Sequence, residues 1–213
     1  IGFVQYVLPN SDASIKNITR GDFFYAVDDV QLTRNNYRTV LEGGANSYQL
    51  NMADFDGNTV TSNGIKVPLT KVSYRHNPVF IAKNIAAGGN NIGYLLYNND
   101  FSINYIKDLN TAFSQFRNQG VNEFILDLRY NIGGGSLVKN MSYLASMITG
   151  QFNNETFAKK RWNTKAQSWF EANQPDSLLT KFTNQLPDAT PINSLGLTDV
   201  YIILNGSSSA SEL

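Results

Sequence analysis

The stretch F-I-L-D-L-R-Y-N-I-G-G-G, residues 124–135, indicates the fold of this chain. Its first five residues form a continuous apolar run with a single acid, the pattern of a β-strand buried on both faces. Three glycines follow, and apolar residues then recur at helical spacing from Leu137 to Ile148. A strand, a glycine-rich turn and a helix in succession are typical of an α/β layer.

A second stretch, V-Y-I-I-L-N-G-S-S-S-A-S-E at residues 200–212, has the same organisation. It predicts a buried strand at 200–204, a turn with four serines in five positions and the start of a helix. A serine at such a turn lies near the positive end of a helix dipole, where free N–H groups stabilise an oxyanion. The alternatives are a tight structural turn for the glycines, and helix capping or a flexible linker for the serines.

Composition narrows the chemistry that these two turns can support. The chain has 213 residues, with 17 Lys+Arg, 17 Asp+Glu, one His and no Cys. Without Cys, disulfides, Cys-based zinc sites and a Cys nucleophile are excluded. A net charge of zero gives the whole chain no electrostatic reason to bind nucleic acid or an anionic membrane. No run approaches the roughly 18 apolar residues of a transmembrane helix.

A serine nucleophile needs a general base, and the sequence offers no convincing one. The single histidine, His76, lies beside Asn77-Pro78, where the strand-and-turn pattern of residues 1–75 ends. The simpler interpretation of His76 is a solvated loop residue. The other candidates are lysines of the polar segment 151–193, which we expect to be solvated: Lys159, Lys160, Lys165 and Lys181.

The remaining pattern divides the chain near residue 76. Residues 1–75 predict strands at 3–8, 23–27, 48–52 and 66–72, with a short helix capped by Thr33. After residue 76 we expect a hairpin around 88–91 and a helix from Ser102 to Gly120, and then the two strand–turn units. Residues 151–193 predict a long polar excursion with some helix. The prediction is therefore two domains, 1–75 and 76–213.

Two motifs resemble those of the carboxy-terminal processing (tail-specific) serine peptidases. Residues 127–134 resemble the family's D-L-R-x-N-x-G-G signature, and residues 207–212 resemble its S-A-S-A-S-E nucleophile motif, with Ser208 in place of the usual Ala. They occur in the family's order, each after an apolar strand. Residues 1–75 resemble the PDZ domain that precedes the protease core in this family, through Ile1-Gly2-Phe3 and the segment beginning Arg20-Gly21-Asp22.

The resemblance implies a two-domain α+β/α/β fold, with a PDZ-like β-rich domain followed by a partial ClpP/crotonase-like protease core. It implies peptide-bond hydrolysis by a Ser-Lys dyad with Ser209 as nucleophile, and an oxyanion hole formed by the N–H groups of Ala210 and of Gly133 or Gly134. The family's general-base lysine lies downstream of the serine motif, past Leu213. We therefore expect a fragment cut at both ends, with little peptidase activity of its own.

The resemblance also implies how the protein meets its substrates. In the PDZ-like domain, N–H groups around Gly2 and Phe3 are expected to hold a peptide carboxylate, with Phe3, Tyr37 and Leu41 lining the pocket for the last side chain. The implied partners are proteins or peptides with free C-termini, and no nucleic acid, metal or cofactor is expected. By family analogy the protein is exported to the periplasm or cell envelope of a bacterium, with a membrane anchor at the missing N-terminus as an option.

Two other functions fit the same residues. One is a non-catalytic peptide-binding protein that keeps the fold, and the other is an acyl-thioester site, because related α/β cores also build oxyanion holes from glycine N–H groups. For Asp127 and Arg129 we expect a structural ion pair at the strand end, and for Asn131 a role in shaping the turn.

Overall fold

The computed structural model describes residues 1–99, 101–131, 137–206 and 208. The chain forms two compact units, Ile1–His76 and Asn77–Leu213. Each unit mixes helices with strands and has its own hydrophobic core, so the fold is of the mixed α+β kind. Within the described residues, no helix is both long and apolar enough to cross a bilayer.

The first unit is built on an antiparallel sheet with strand order β1-β2-β4-β5, and β3 pairs with β2. Its elements are β1 (Gly2–Phe3), α1 (Asp12–Ile15), β2 (Phe23–Val27), β3 (Val30–Gln31), α2 (Tyr37–Glu42), β4 (Ser47–Phe55) and β5 (Val60–Thr70). Its core gathers apolar residues from several of these elements: Ile18, Phe24, Val27, Leu32, Leu50, Met52 and Leu69.

The strand predicted at 3–8 is much shorter in the structure. After Phe3, the Val4 N–H donates to the Asp22 carbonyl and the Val4 carbonyl accepts from the Gly21 N–H, both at 2.9 Å. Asp22 and Gly21 belong to the turn that precedes β2, so Val4 already lies past the first residue of β2. No residue of β2 remains to pair with residues 5–8. Residues 5–8 therefore continue as irregular chain.

The second unit contains a four-stranded sheet in the order β11-β8-β7-β6. Its elements are β6 (Val79–Ala87), β7 (Asn90–Tyr97), α3 (Ile106–Asn118), β8 (Glu123–Asp127), α4 (Val138–Ile148), β9 (Thr156–Lys159), α5 (Thr164–Asn173), β10 (Leu179–Lys181) and β11 (Tyr201–Ile203). Strands β7, β8 and β11 are parallel, while β6 forms an antiparallel hairpin with β7. Strands β9 and β10 form a separate antiparallel pair, so the excursion at 151–193 contains strands as well as the expected helix.

Local sequence explains the boundaries of these elements. Gly88 and Gly89 have φ angles of 59° and 84°, the left-handed conformation that a two-residue hairpin turn requires. Ser102 accepts a hydrogen bond from the Asn104 N–H at the 3-10 turn that leads into α3. Gly120, with φ of 67°, follows the end of that helix, as predicted.

The core of the second unit lies between the sheet and its helices. Phe113 and Phe116 of α3 are fully buried, and their rings lie 5.2 Å and 5.7 Å from the ring of Phe124 in β8. Such tilted and edge-to-face contacts stabilise the fold by about 0.5–1.5 kcal/mol per pair, beyond the stabilisation from burying apolar area. The apolar stripe of α3 therefore fixes the helix onto the central strand.

The last strand differs from its prediction. The run 200–204 predicts a strand buried on both faces, but the side chains of Tyr201 and Ile202 are 60% and 48% exposed. Strand β11 pairs only with β8 among the described strands and forms the edge of the sheet. Its aromatic and β-branched residues reflect strand propensity, which does not by itself imply burial.

Candidate functional site

Parallel pairing brings the two motif-bearing strand ends together. Leu96 of β7 and Ile203 of β11 are both register partners of Asp127, the last residue of β8. The carboxyl ends of the three strands therefore lie side by side, and ligands of open α/β sheets bind beyond the carboxyl ends of the strands. The segments that follow β8 and β11 are the D-L-R motif and the serine-rich motif.

These two segments are joined directly by hydrogen bonds. The Leu128 N–H donates to the Ile203 carbonyl at 2.9 Å. Asn205 donates from Nδ2 to the Arg129 carbonyl at 2.9 Å, and the Ser208 hydroxyl donates to the Leu128 carbonyl at 3.1 Å. Ser208 also accepts from the Asn205 N–H at 3.1 Å, so its hydroxyl is committed to holding the serine-rich segment against β8.

Asn131 is held at the same point. Its side chain is fully buried, and its N–H donates to the Leu128 carbonyl at 3.0 Å, which closes a turn after β8. The Leu128 carbonyl thus accepts from both segments, once from Asn131 and once from Ser208. The turn expected at Asn131 is present, and the backbone N–H of Asn131 closes it.

Asp127 anchors the strand end. Its carboxylate is fully buried and receives the Arg129 guanidinium in a two-pronged contact, with Nη2 to Oδ2 at 2.6 Å and Nε to Oδ1 at 3.0 Å. The Tyr94 hydroxyl of β7 donates to Oδ2 at 2.8 Å. The expected structural ion pair is present, and Tyr94 links it to the neighbouring strand.

The charges of this cluster stabilise one another. Burial on its own raises the pKa of Asp127, but hydrogen bonds from Arg129 and Tyr94 outweigh burial and leave this pKa below its ordinary value. The hydrogen bond and charge of Asp127 raise the pKa of Arg129, and burial together with the bond to Asp127 raises the pKa of Tyr94. The cluster is therefore a fixed ion pair at neutral pH.

Four predicted catalytic-site residues, Gly133, Gly134, Ser209 and Ala210, lie outside the described residues. The structure describes the chain up to Asn131 on one side and Gly206 and Ser208 on the other.

Neither kind of alternative base gains support from its surroundings. His76 is the last residue of the first unit, where its ring lies 6.2 Å from that of Tyr6 and burial lowers its pKa. The four lysines of the polar excursion are all exposed, as expected: Lys159, Lys160, Lys165 and Lys181.

The first unit contains a groove at the predicted peptide-binding residues. Gly2, Tyr37 and Leu41 line one concavity of about 560 Å³, together with Ile1, Leu32, Thr33 and Arg34. It lies between α2 and β1, and β1 is at the edge of the sheet. An edge strand beside a groove offers backbone groups for the addition of another extended segment.

Gly2 and Phe3 have different surroundings in this edge strand. A Cβ atom on Gly2 would lie 2.3 Å from the Phe24 ring, so close packing requires glycine there. The Phe3 ring lies 6.4 Å from that of Phe23, and Phe3 is not among the residues lining the groove. Successive residues of a strand point to opposite faces, which separates these two neighbours.

Comparison with known proteins identifies the class. A family model described as peptidase family S41 matches residues 91–213, more than half of the chain. The chain therefore belongs to peptidase family S41, a family of serine peptidases.

Solved structures agree with this assignment. A protein of Bacteroides fragilis NCTC 9343 assigned to the S41 proteases superposes with a TM-score of 0.70 at 26% identity, over 99% of this chain and 55% of that one. The photosystem II D1 C-terminal processing protease shares the fold, with a TM-score of 0.50 at 19% identity over 99% and 51%. The chain thus spans about half the length of these proteins. Comparison with curated protein sequences finds no match.

Sequence reasoning missed three residues of this site: Tyr94, Asn205 and the bonding role of Ser208. The signal for Tyr94 lies in the strand register, because Leu96 pairs with Asp127 and Tyr94 is two residues before Leu96 on the same face. That signal becomes readable only when β7 and β8 are known to be parallel neighbours.

Proposed function

We propose that this protein is a serine endopeptidase of the C-terminal processing type. The observation that carries the proposal is the shared acceptor at Leu128, which binds the D-L-R segment through Asn131 and the serine-rich segment through Ser208. A nucleophile on one segment and oxyanion donors on the other must lie close together. These bonds join the two segments only a few residues from the proposed nucleophile and from the proposed donors.

In this mechanism Ser209 attacks the scissile carbonyl. The developing oxyanion is stabilised by the N–H of Ala210 and by that of Gly133 or Gly134. The general base is a lysine downstream of residue 213, as the resemblance to the C-terminal processing peptidases implies. A lysine base must be neutral at working pH, which requires burial in a site closed to water. The exposed lysines of residues 151–193 do not meet this requirement.

We propose that the first unit selects substrates as a PDZ-like domain. The groove between α2 and β1 supports this role, because an extended peptide can pair with the edge of β1 while its last side chain enters beside Tyr37 and Leu41. The substrates are then proteins or peptides with a free, apolar C-terminus. By family analogy we place the enzyme in the periplasm or cell envelope of a bacterium.

Cleavage of an unstructured peptide with an apolar C-terminus tests the proposal. A form extended beyond Leu213 should cleave it, and Ser209→Ala in that form should lose cleavage while still binding the peptide. The 213-residue chain should be nearly inactive. Cleavage by the 213-residue chain at the extended form's rate would contradict the Ser-Lys assignment, and binding without any Ser209-dependent cleavage would favour a peptide-binding protein.

A further inference from the structure

The excursion between α4 and β11 carries a surface that the peptidase mechanism does not use. Four cations occur within seven positions, although the chain as a whole is neutral. Two half-exposed tryptophans accompany them, with Trp162 44% and Trp169 52% exposed. We call this surface the basic-aromatic patch and define it by Lys159, Lys160, Arg161, Trp162, Lys165 and Trp169.

The aromatic part of the patch is a packed group of rings. Trp162 stacks on Phe170 with ring centroids 4.8 Å apart and planes within 5°. The Trp169 ring is perpendicular to the same Phe170 ring, with centroids 5.1 Å apart. No residue of α5 is buried, so these rings form a small apolar surface at the outside of the unit.

Two of the four cations lie beside these rings. The Lys160 ammonium lies 5.5 Å from the centre of the Trp162 ring. Lys165 and Trp169 are four residues apart in α5 and therefore share one helix face. None of the four cations forms an ion pair with a carboxylate in the described part of the chain. Their charges are thus available to an external anion.

We propose that the basic-aromatic patch binds the surface of an anionic lipid bilayer. Tryptophan rings favour the boundary between headgroups and acyl chains, since they combine an apolar body with one N–H donor. Lysines and arginines beside them attract anionic headgroups. The patch offers both features side by side and would hold the second unit against a membrane surface.

The ring geometry favours a bilayer over a nucleic acid. Single-stranded nucleic acids bind basic surfaces by stacking bases on open aromatic faces. One face of Trp162 is covered by Phe170, and the Phe170 ring is itself in contact with Trp169. These contacts leave fewer open ring faces for base stacking, whereas shallow insertion of an indole among headgroups requires no open face.

Trp162 and Trp169 are the only tryptophans in the sequence, so tryptophan emission excited selectively over tyrosine reports on the patch alone. The experiment titrates the protein with vesicles of phosphatidylcholine containing phosphatidylglycerol, and with phosphatidylcholine vesicles. We expect a shift of emission to shorter wavelength with the anionic vesicles. Binding should weaken at high salt, because the Debye screening length falls to about 3 Å at 1 M ionic strength. Trp162→Phe and Trp169→Phe then report the insertion of the remaining indole.

A matched pair of variants tests the role of charge. Arg161→Gln should weaken binding to anionic vesicles about fivefold, the effect of one surface cation, whereas Arg117→Gln removes an exposed cation of α3 and should have no effect. The salt dependence of the unmodified protein needs no variant. Absence of binding, equal binding to both vesicle types, equal effects of the two variants, or tighter binding to a single-stranded oligonucleotide would each overturn the proposal.

Discussion

The backbone N–H of Asn131 and the hydroxyl of Ser208 donate hydrogen bonds to the same acceptor, the carbonyl oxygen of Leu128, at 3.0 Å and 3.1 Å. One residue belongs to the D-L-R motif and the other to the serine-rich motif. A single carbonyl at the end of β8 therefore sets the separation of the two segments that carry the proposed oxyanion donors and nucleophile. Small errors in such a separation are costly to catalysis, since donors must lie within hydrogen-bonding distance of the developing charge.

Removing the Ser208 hydroxyl should loosen this junction. In Ser208→Ala the Leu128 carbonyl keeps its bond from Asn131, but the Asn205 N–H loses its acceptor. We expect the free energy of unfolding of the second unit to fall by about 0.5–1.5 kcal/mol. Urea denaturation followed by tryptophan fluorescence measures it, because both tryptophans lie in that unit.

Ser177→Ala is the matched control for that variant. Its hydroxyl donates to the Gln174 carbonyl at 2.7 Å on the exposed surface, and Ser177 lies outside both motifs in the sequence. We expect a change within about 0.5 kcal/mol. Equal losses for the two variants would show that the Ser208 bonds have no special importance.

Tyr94 should be the more important hydroxyl for stability. Tyr94→Phe removes one of the donors to the buried Asp127 carboxylate without changing the shape of the core. Hydrogen bonds to charged groups contribute about 1.5–3 kcal/mol, so a loss of that size is expected in urea denaturation. Tyr201→Phe on the exposed face of β11 should change stability by less than about 0.5 kcal/mol, and a larger loss there than at Tyr94 would refute the assignment.

The Asp127 cluster also predicts a pH dependence of stability. The pKa of Asp127 is lower in the folded protein than the value of about 3.9 expected in the unfolded chain. Its contribution is therefore complete above the unfolded pKa and is lost as pH falls through the folded pKa. The stability difference between the unmodified protein and Asp127→Asn should be large at pH 7 and shrink in acid. A difference that stays constant or grows as pH falls would contradict this.

Arg34 offers a test of carboxylate recognition in the first unit. It lines the groove with Tyr37 and Leu41, so its charge can assist the backbone N–H groups in holding a peptide C-terminus. Arg34→Gln should weaken binding of a free-acid peptide about two- to fivefold and leave the amidated peptide unchanged. Lys66→Gln is the control, because Lys66 is an exposed cation of β5 that pairs with Asp29 and does not line the groove. Equal affinity of the unmodified protein for the two peptides would remove the carboxylate from the account.

The sequence predicted the parts of the site that depend on local patterns. The apolar run before Asp127, the Ser102 cap, the Gly88-Gly89 turn and the Gly120 helix end are each specified by neighbouring residues, and the structure contains all of them. The Asp127–Arg129 pair was also predictable, since its members are two positions apart at the end of one strand.

What the sequence could not predict depends on contacts between distant segments. The bond from Tyr94 to Asp127 needs the register of β7 against β8, and the bonds of Asn205 and Ser208 need the register of β11. The predicted burial of β11 is not found among the described residues, because apolar composition does not reveal how many strands a strand pairs with. The basic-aromatic patch was not predicted, because a net charge of zero for the whole chain does not reveal a local cluster of cations.

The most direct test of the central claim compares Ser209→Ala with Ser207→Ala in a form extended beyond Leu213. The measurement is kcat on one unstructured peptide with an apolar C-terminus, with peptide affinity measured alongside. The account predicts that Ser209→Ala lowers kcat by more than about 10³-fold with affinity retained, the scale expected for loss of a nucleophile, and that Ser207→Ala keeps most of its activity. An inactive Ser207→Ala beside an active Ser209→Ala would contradict the assignment of the nucleophile.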